Sequence, residues 1–296
     1  MKSGFVAIIG RPNVGKSTLL NAIIGEKVAI TADKPQTTRN RIRGIYNDQD
    51  CQIVFIDTPG VTKPKNKLGE YMADAALNAL PEVDAVLFLI DEPAAANAMF
   101  GGGDTFIIHK LKEIKAPIIL LINKIDLMSP EDFKRTYDAY EATGLFAEII
   151  GTAATTGVNV KDAIGALKKY IKNGPQFFPA DMITDHPERF LVKEIIREKM
   201  LHYLRDEVPH GVAVEIESYA EEPAITRISA IIFTEKKSHK GIIIGKDGRK
   251  LKGIGKAART DIEKLLGTKV FLELWVKIKD NWRDSDYMLS SLGYKE

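Results

Sequence analysis

The stretch GRPNVGKS, Gly10 to Ser17, constrains this chain more than any other feature. It fits the pattern G-x-x-x-x-G-K-[ST], which works only where a strand hands over to a helix. On one side the apolar run Phe5 to Ile9 reads as a buried strand; on the other, Leu19, Leu20, Ile23 and Ile24 share one helical face. Gly10 and Gly15 let the backbone turn its N–H groups toward an anion at the positive end of that helix. In such a loop Lys16 reaches the β- and γ-phosphates and the Ser17 hydroxyl binds Mg²⁺. Arg11, Pro12, Asn13, Val14 and Thr18 complete the cradle.

Three further motifs follow in order, each suited to another part of one ligand. DTPG begins at Asp57, which ends the run Gln52 to Ile56. Its carboxylate therefore falls at the C-terminal edge of a strand, where open α/β sheets bind ligands, and is expected near Mg²⁺. After Thr58 and Pro59, Gly60 has no side chain to keep its N–H from a γ-phosphate. NKID places Asn123, Lys124 and Asp126 after the apolar run Ile118 to Ile122. A carboxylate at Asp126 accepts from the N1–H and 2-amino edge of guanine, an edge adenine lacks. Thr152, Ala153 and Ala154 offer backbone N–H groups to the guanine carbonyl. Together the four predict binding of GTP and GDP with Mg²⁺, and hydrolysis of GTP with Lys16 and Gly60 at the γ-phosphate. Between the first two motifs, PQTTRNR supplies Thr37 and Thr38 as candidates for a mobile threonine that reaches Mg²⁺ only when the γ-phosphate is present. Many small GTPases follow DTxG with a glutamine that orients the attacking water. Here Val61 stands there and cannot do so. Arg39 and Arg11 read equally well as surface charges, so no arginine finger is identified.

A chain of 296 residues predicts two domains. Apolar strands alternate with amphipathic segments to about Lys172, as a parallel sheet covered by helices requires. The expected strands are Phe5–Ile9, Ile42–Tyr46, Gln52–Asp57, Ala85–Ile90, Pro117–Asn123 and Ala147–Gly151. Gly101 to Gly103 read as a flexible loop. The proline-rich polar stretch after Asn173 reads as a linker, which divides the chain into 1–173, a connector 174–186, and 187–296. One cysteine, Cys51, excludes an intrachain disulfide and fits a reducing compartment. No apolar run reaches membrane-span length, and the N-terminal apolar stretch is a strand, too short for a signal peptide. Five scattered histidines suggest no zinc site.

Past the linker the pattern becomes helix, strand, strand, helix, helix, strand. Asp185 or His186 is expected to cap a helix carrying Phe190, Ile195, Met200 and Leu204, with Pro187 in its first turn. Strands are expected over Val212–Ser218, Ile225–Phe233 and Val270–Val276. From Glu235 to Arg259 nine Lys/Arg face two acids. Within this basic stretch GKDG, Gly245 to Gly248, precedes a helix with Leu251, Ile254, Ala258, Ile262 and Leu265 on one face. The arrangement resembles a type II KH domain, in which a GxxG loop clamps about four nucleotides of single-stranded nucleic acid. The resemblance implies RNA contacts from Gly245, Lys246, Asp247, Gly248, Arg249, Lys250 and Lys252.

The TTR switch resembles the TrmE–Era–EngA group of bacterial GTPases, and by that resemblance Thr38 is the Mg²⁺ ligand with Ser17 and Asp57. The same group often holds an activating potassium ion through a phosphate-loop asparagine, which Asn13 matches. A TrmE-type enzyme requires a C-terminal cysteine and an EngA-type factor a second phosphate loop; this chain carries neither. A GTPase domain followed by a KH domain, with HKGIIIGKDGRKLKGIGKAAR as the most distinctive stretch, resembles the Era family along essentially the whole chain. That implies a GTPase acting on the 3′ end of 16S ribosomal RNA and the small (30S) subunit, in the cytoplasm with peripheral association with the membrane. The loop Asp91-Glu92-Pro93-Ala94-Ala95-Ala96 departs from the family's more acidic, glycine-containing one.

Overall fold

The computed structural model describes residues 1–95, 100–205 and 208–294. Ala96 of the departing loop and the last two residues of the second domain lie outside them. The chain divides into two compact units.

The first unit is a six-stranded sheet built from β1 (Lys2–Gly10), β2 (Ile42–Asn47), β3 (Cys51–Asp57), β4 (Ala85–Ile90), β5 (Ile118–Ile122) and β6 (Glu148–Gly151), in the order β2-β3-β1-β4-β5-β6. Only β2 runs antiparallel to its neighbour. Helices α1 (Lys16–Ile24), α2 (Lys67–Leu77), α3 (Gly102–Leu111) and α4 (Pro130–Glu141) connect the strands, and α5 (Val160–Tyr170) follows the last of them. Alternate residues of β1, β4 and β5, among them Ile9, Phe88, Ile90 and Leu120, pack with Ile107 and Leu111 of α3 and Tyr140 of α4. The intervening residues Ile8, Leu87, Leu89 and Leu121 are equally inaccessible. Both faces are thus covered, with α1 and α5 packed together opposite the α3 side, and the strands read as unbroken apolar runs.

Two sequence expectations change here. Gly101 to Gly103 are not a flexible loop: α3 opens at Gly102, with Gly101 as its cap residue. The stretch 174–185 is also no free linker. It lies along the edge of the sheet, where Ile183 O accepts from Ile45 N at 2.8 Å and Thr184 Oγ1 donates to Arg43 O at 2.7 Å. Gln52, a fully buried polar residue in β3, accepts from the N–H groups of Phe177 and Phe178 and donates to Phe178 O. Asp185 pairs with Arg43 rather than capping a helix.

The second unit contains α6 (Glu188–Tyr203), β7 (Val212–Glu222), β8 (Ile225–Thr234), α7 (Lys237–Ile244), α8 (Arg249–Leu266), β9 (Val270–Ile278) and α9 (Asp286–Ser291). Its sheet has the order β7-β8-β9, antiparallel then parallel, so β9 is an edge strand reached through α7 and α8. Val192, Ile196 and Met200 of α6 meet Ile254, Ala258 and Ile262 of α8 over the inward residues of the strands. Pro187, not Asp185 or His186, is the residue before the first turn of α6, and Phe190 stacks on His186 outside this core. Trp282, fully buried, donates from Nε1 to Gly211 O at 2.9 Å. Ala32–Thr37 and Pro64–Tyr71 also belong to this unit: Arg197, paired with Glu194, donates to Thr37 O.

Candidate functional site

The phosphate loop spans the end of β1 and the start of α1, and its glycines are required by close approach. Gly15 has φ +100°, and a Cβ there would stand 2.3 Å from Asn123 Nδ2; one at Gly10 would stand 2.5 Å from Leu89 O. Asn123 ties the loop to the other nucleotide motifs: its Nδ2 donates to Val14 O at 2.8 Å, while its Oδ1 accepts from Thr152 Oγ1 at 3.2 Å and Ala154 N at 3.1 Å. Asp126 is exposed in a short turn, Ile125–Leu127, that hangs from Thr152 O through Ile125 N. In the TAA motif the N–H groups of Ala153 and Ala154 have protein acceptors, Val158 O and Asn123 Oδ1. The motif therefore acts first by orienting Asn123, a role its three small residues did not disclose.

Three oxygen-bearing side chains meet where the sequence expects Mg²⁺. Ser17 Oγ lies 2.6 Å from Asp57 Oδ2 and 2.8 Å from Thr38 Oγ1, and Thr38 Oγ1 lies 3.3 Å from the same carboxylate oxygen. Asp57 is fully buried, and its Oδ1 has no hydrogen-bond partner. An all-oxygen donor set with an orphaned carboxylate oxygen fits a hard divalent cation. Thr37 is turned elsewhere, donating to Ala32 O and Lys34 O. Burial pushes the Asp57 carboxyl up to about 6 against the pull of Lys16, Ser17 and Thr38. Burial likewise lowers Lys16 to about 8, although Asp57 and Asp91 favour its charge. The Lys16 ammonium donates to Gly10 O at 3.2 Å and Arg11 O at 2.8 Å.

Val61, 3% exposed, donates its N–H to Gly10 O at 3.2 Å, which places an apolar side chain where a water-orienting glutamine would stand. At Gly60 a Cβ would lie 2.7 Å from Pro12 Cα and N, so the absence of a side chain is imposed by the phosphate loop itself. Thr58 Oγ1 donates to Ile8 O, fixing the DTPG turn to β1. Asn13 is exposed and left-handed at φ +65°; Thr18 lies in the first turn of α1. Arg11 is held by Asp91, Glu92 and Asp104 and is no loose surface charge.

In the second unit GKDG forms a tight turn between α7 and α8. Gly245 and Gly248 have φ +71° and +72°, and Asp247 is left-handed at +53° with its carboxylate on Arg249. The two glycines differ. A Cβ at Gly245 would stand 2.7 Å from Lys250 Cβ, whereas nothing lies within 4 Å of one at Gly248. Lys246, Arg249 and Lys252 are exposed and Lys250 half-buried. Of the three isoleucines before the turn, Ile243 is in the core and Ile242 faces solvent. A groove of about 460 Å³ runs beside the turn, with Leu251, Lys252, Gly255, Lys256 and Arg259 of α8 on one wall and Leu272 and Leu274 of β9 on the other.

Model matches cover both units: a family described as 50S ribosome-binding GTPase matches residues 5–124, and the KH domain family matches 207–283. The GTPase Era of Alkaliphilus metalliredigens is 59% identical over 99% of each chain, and that of Clostridioides difficile 53% identical over 100% of this chain and 99% of its own. The chain belongs to the Era family. Among solved structures, Era in complex with MgGDPNP and nucleotides 1506–1542 of 16S ribosomal RNA matches at TM-score 0.95 and 40% identity, with both chains fully covered. Aquifex aeolicus Era bound to GDP·AlF₄⁻ matches at 0.93 and 39%, again over both whole chains. The chain is accordingly a GTPase with a type II KH domain. No helix among the described residues is long and apolar enough to cross a membrane.

Within this Era-family frame, sequence reasoning missed Lys256, Arg259, Gly255, Leu272 and Leu274. The first two were within reach, because Lys252, Lys256 and Arg259 recur at i, i+4 and i+7 and so share one helix face. The strand residues alternate inward along β9 and are indistinguishable by pattern from its core positions.

Proposed function

We propose that this chain is a GTP-driven switch that binds the 3′ region of 16S ribosomal RNA through its KH domain and assists maturation of the small ribosomal subunit. The observation that carries the RNA reading is the end-to-end likeness to the Era complex with that RNA segment, joined to a basic GxxG turn and groove in this chain's KH domain. The full-length likeness to Era in complex with 16S ribosomal RNA favours the small subunit.

In this reading 1–173 is the GTPase domain, 174–186 the connector and 187–296 the RNA-binding domain. Gly10 to Thr18 cradle the phosphates, Asp126 reads the guanine edge, and Lys124, Asn123 and the Thr152–Ala154 segment shape the base pocket. Ser17, Thr38 and Asp57 would hold Mg²⁺, which neutralises charge on the phosphate oxygens. Lys16 sets an ammonium against the β- and γ-phosphates, and Gly60 offers its N–H at the γ-phosphate. Val61 orients no water, so hydrolysis depends on other groups; Asn13 would partly hold a potassium ion, which would supply positive charge there. RNA phosphates meet Lys246, Arg249, Lys250 and Lys252 while the backbone passes over Gly245 to Gly248. The chain works in the cytoplasm, with peripheral association with the membrane.

The test is hydrolysis of radiolabelled GTP by the full chain, in potassium or sodium at equal ionic strength, with and without the 3′-terminal 16S segment. The expected result is Mg²⁺-dependent turnover that is faster in potassium and lost in Lys16→Ala. Asn13→Ala should remove the potassium advantage while GTP still binds. Turnover no greater than that of Lys16→Ala would overturn the enzymatic role, and equal rates in the two salts would remove potassium.

A further inference from the structure

A chain of charges crosses the nucleotide site and joins two of the four motifs through carboxylates that belong to none of them. Arg11 donates from Nε to Asp104 Oδ1 at 2.9 Å, and its two terminal nitrogens reach Glu92 at 3.0 Å and Asp91 Oδ1 at 3.4 Å. The other oxygen of Asp91 accepts from Lys124 Nζ at 2.7 Å, and that same ammonium donates to Asn13 O at 2.8 Å. One carboxylate thus bridges two cations. The first belongs to the phosphate loop and the second to the base-reading motif. Asp91 is 16% exposed, Arg11 19% and Asp104 2%, so the Arg11 ties are largely shielded from water and from screening, while Lys124, 37% exposed, is less so.

Two further observations show that the backbone is shaped to this bridge. Asn13 and Lys124, the two ends of the last hydrogen bond, are both left-handed, at φ +65° and +61°. Asparagine adopts that conformation readily, but a lysine holds it only where its surroundings enforce it. On the other flank, a Cβ at Gly103 would stand 2.7 Å from Arg11 Cδ. Arg11 cannot swing aside there, because its guanidinium is pinned to Asp104 in the first turn of α3. Gly103 thereby has a use: it admits the Arg11 stem against the opening of the helix.

We propose that Asp91 is a positioning residue for nucleotide binding. It holds Lys124 on the Asn13 carbonyl and Arg11 against α3, and so fixes the separation between the phosphate loop and the base-reading loop to that spanned by one guanine nucleotide. The proposal rests on the seating of the nucleotide given under Proposed function. Because the strap touches the loops and not the γ-phosphate, it acts alike on GDP and GTP. Asparagine at 91 could still accept from one cation, but its amide NH₂ would face the other.

Release of mant-GDP and mant-GTP from the full chain, by stopped flow, tests this. Asp91→Asn should speed release of both nucleotides roughly tenfold, the loss of one charge-assisted hydrogen bond. KM for GTP should rise while kcat at saturation moves by less than about twofold, the pattern of lost uniform binding. Asp91→Glu should restore most of the slow release. Arg11→Lys keeps the charge but loses the planar fork that spans Asp91 and Asp104; it too should speed release, and its effect combined with Asp91→Asn should be less than additive. Wild-type release rates in Asp91→Asn, or in Arg11→Lys should the first variant not fold, would overturn the proposal, as would an effect confined to GTP. Failure of the wild-type chain to bind mant-GDP at all would instead overturn the seating of the nucleotide on which the proposal stands.

Discussion

Gly15 in the phosphate loop and Gly248 in the GKDG turn are both left-handed glycines beside a binding site, yet they are glycine for different reasons. At Gly15 the protein itself occupies the space of a side chain, with Asn123 Nδ2 2.3 Å from the Cβ position. At Gly248 no protein atom stands within 4 Å of the Cβ position, and on the proposed reading the bound RNA is what fills that space. The contrast extends to their neighbourhoods. Around Gly15 the side chains of Lys16, Asp57 and Asn123 are buried, and both charged groups are shifted toward neutrality by desolvation. Near Gly248 the cations Lys252, Lys256 and Arg259 are exposed and line a groove. A nucleotide site therefore has its residues dictated by mutual contact as well as by the ligand, and an RNA groove mostly by the ligand. Substitutions should damage fold and binding together in the first and separate them in the second.

The largest effect expected is that of Gly15→Ala. The added methyl must displace Asn123, which braces Val14 and Ala154, in a backbone conformation alanine disfavours by about 1–2 kcal/mol. GTP affinity should fall at least roughly a hundredfold, as expected when several buried hydrogen bonds lose alignment, with a lower melting temperature as well. Isothermal titration and thermal denaturation on one sample check both; intact stability with lost binding would blur the contrast drawn above. Asp126→Asn comes next. Asp126 is exposed, so folding should be unaffected, while GTP affinity drops roughly 10²-fold through two lost charge-assisted hydrogen bonds. Xanthosine triphosphate should gain, since its 2-oxo edge accepts from the new amide. Competition among GTP, ATP and XTP reads this, and unchanged guanine preference would remove Asp126 from the base site.

Much of this contrast was readable before the fold was known. The phosphate loop, NKID and DTPG each carry a spacing that serves one chemistry, and the parallel strands are apolar runs because both faces of the sheet are covered. What escaped depends on partners distant in sequence. Gly101 to Gly103 look like a loop because glycine is a poor helix former, and only the tie from Asp104 to Arg11 shows why a helix starts there. The connector looks free because many of its bonds run through its own backbone groups; one signal was Gln52, a polar residue inside an otherwise apolar strand. The groove wall on β9 was hidden because core and groove positions share one alternation.

On the RNA side the effects should be smaller and separable. Lys256→Ala removes an exposed cation from the groove wall, so affinity for short single-stranded RNA should fall a few-fold for all sequences, and the salt slope should drop by about 0.7 if one phosphate contact is lost. Fluorescence anisotropy over a salt series measures it, and an unchanged slope would take Lys256 out of the RNA path. Gly245→Ala is a weaker probe of the ligand, since its methyl would collide with Lys250 Cβ at 2.7 Å and reshape the turn.

Gly248→Asp tests the central claim most directly, that the GKDG turn is an RNA site separable from the GTP site. Aspartate tolerates the left-handed backbone better than most residues and no protein atom lies within 4 Å of its Cβ here, so the fold and the affinity for mant-GTP should be retained. Binding of a labelled single-stranded segment from the 3′ end of 16S ribosomal RNA should fall by at least roughly tenfold, because a side chain and a negative charge now stand where phosphate must approach. Full-strength RNA binding by the folded Gly248→Asp chain, or equal loss of RNA and GTP, would contradict it.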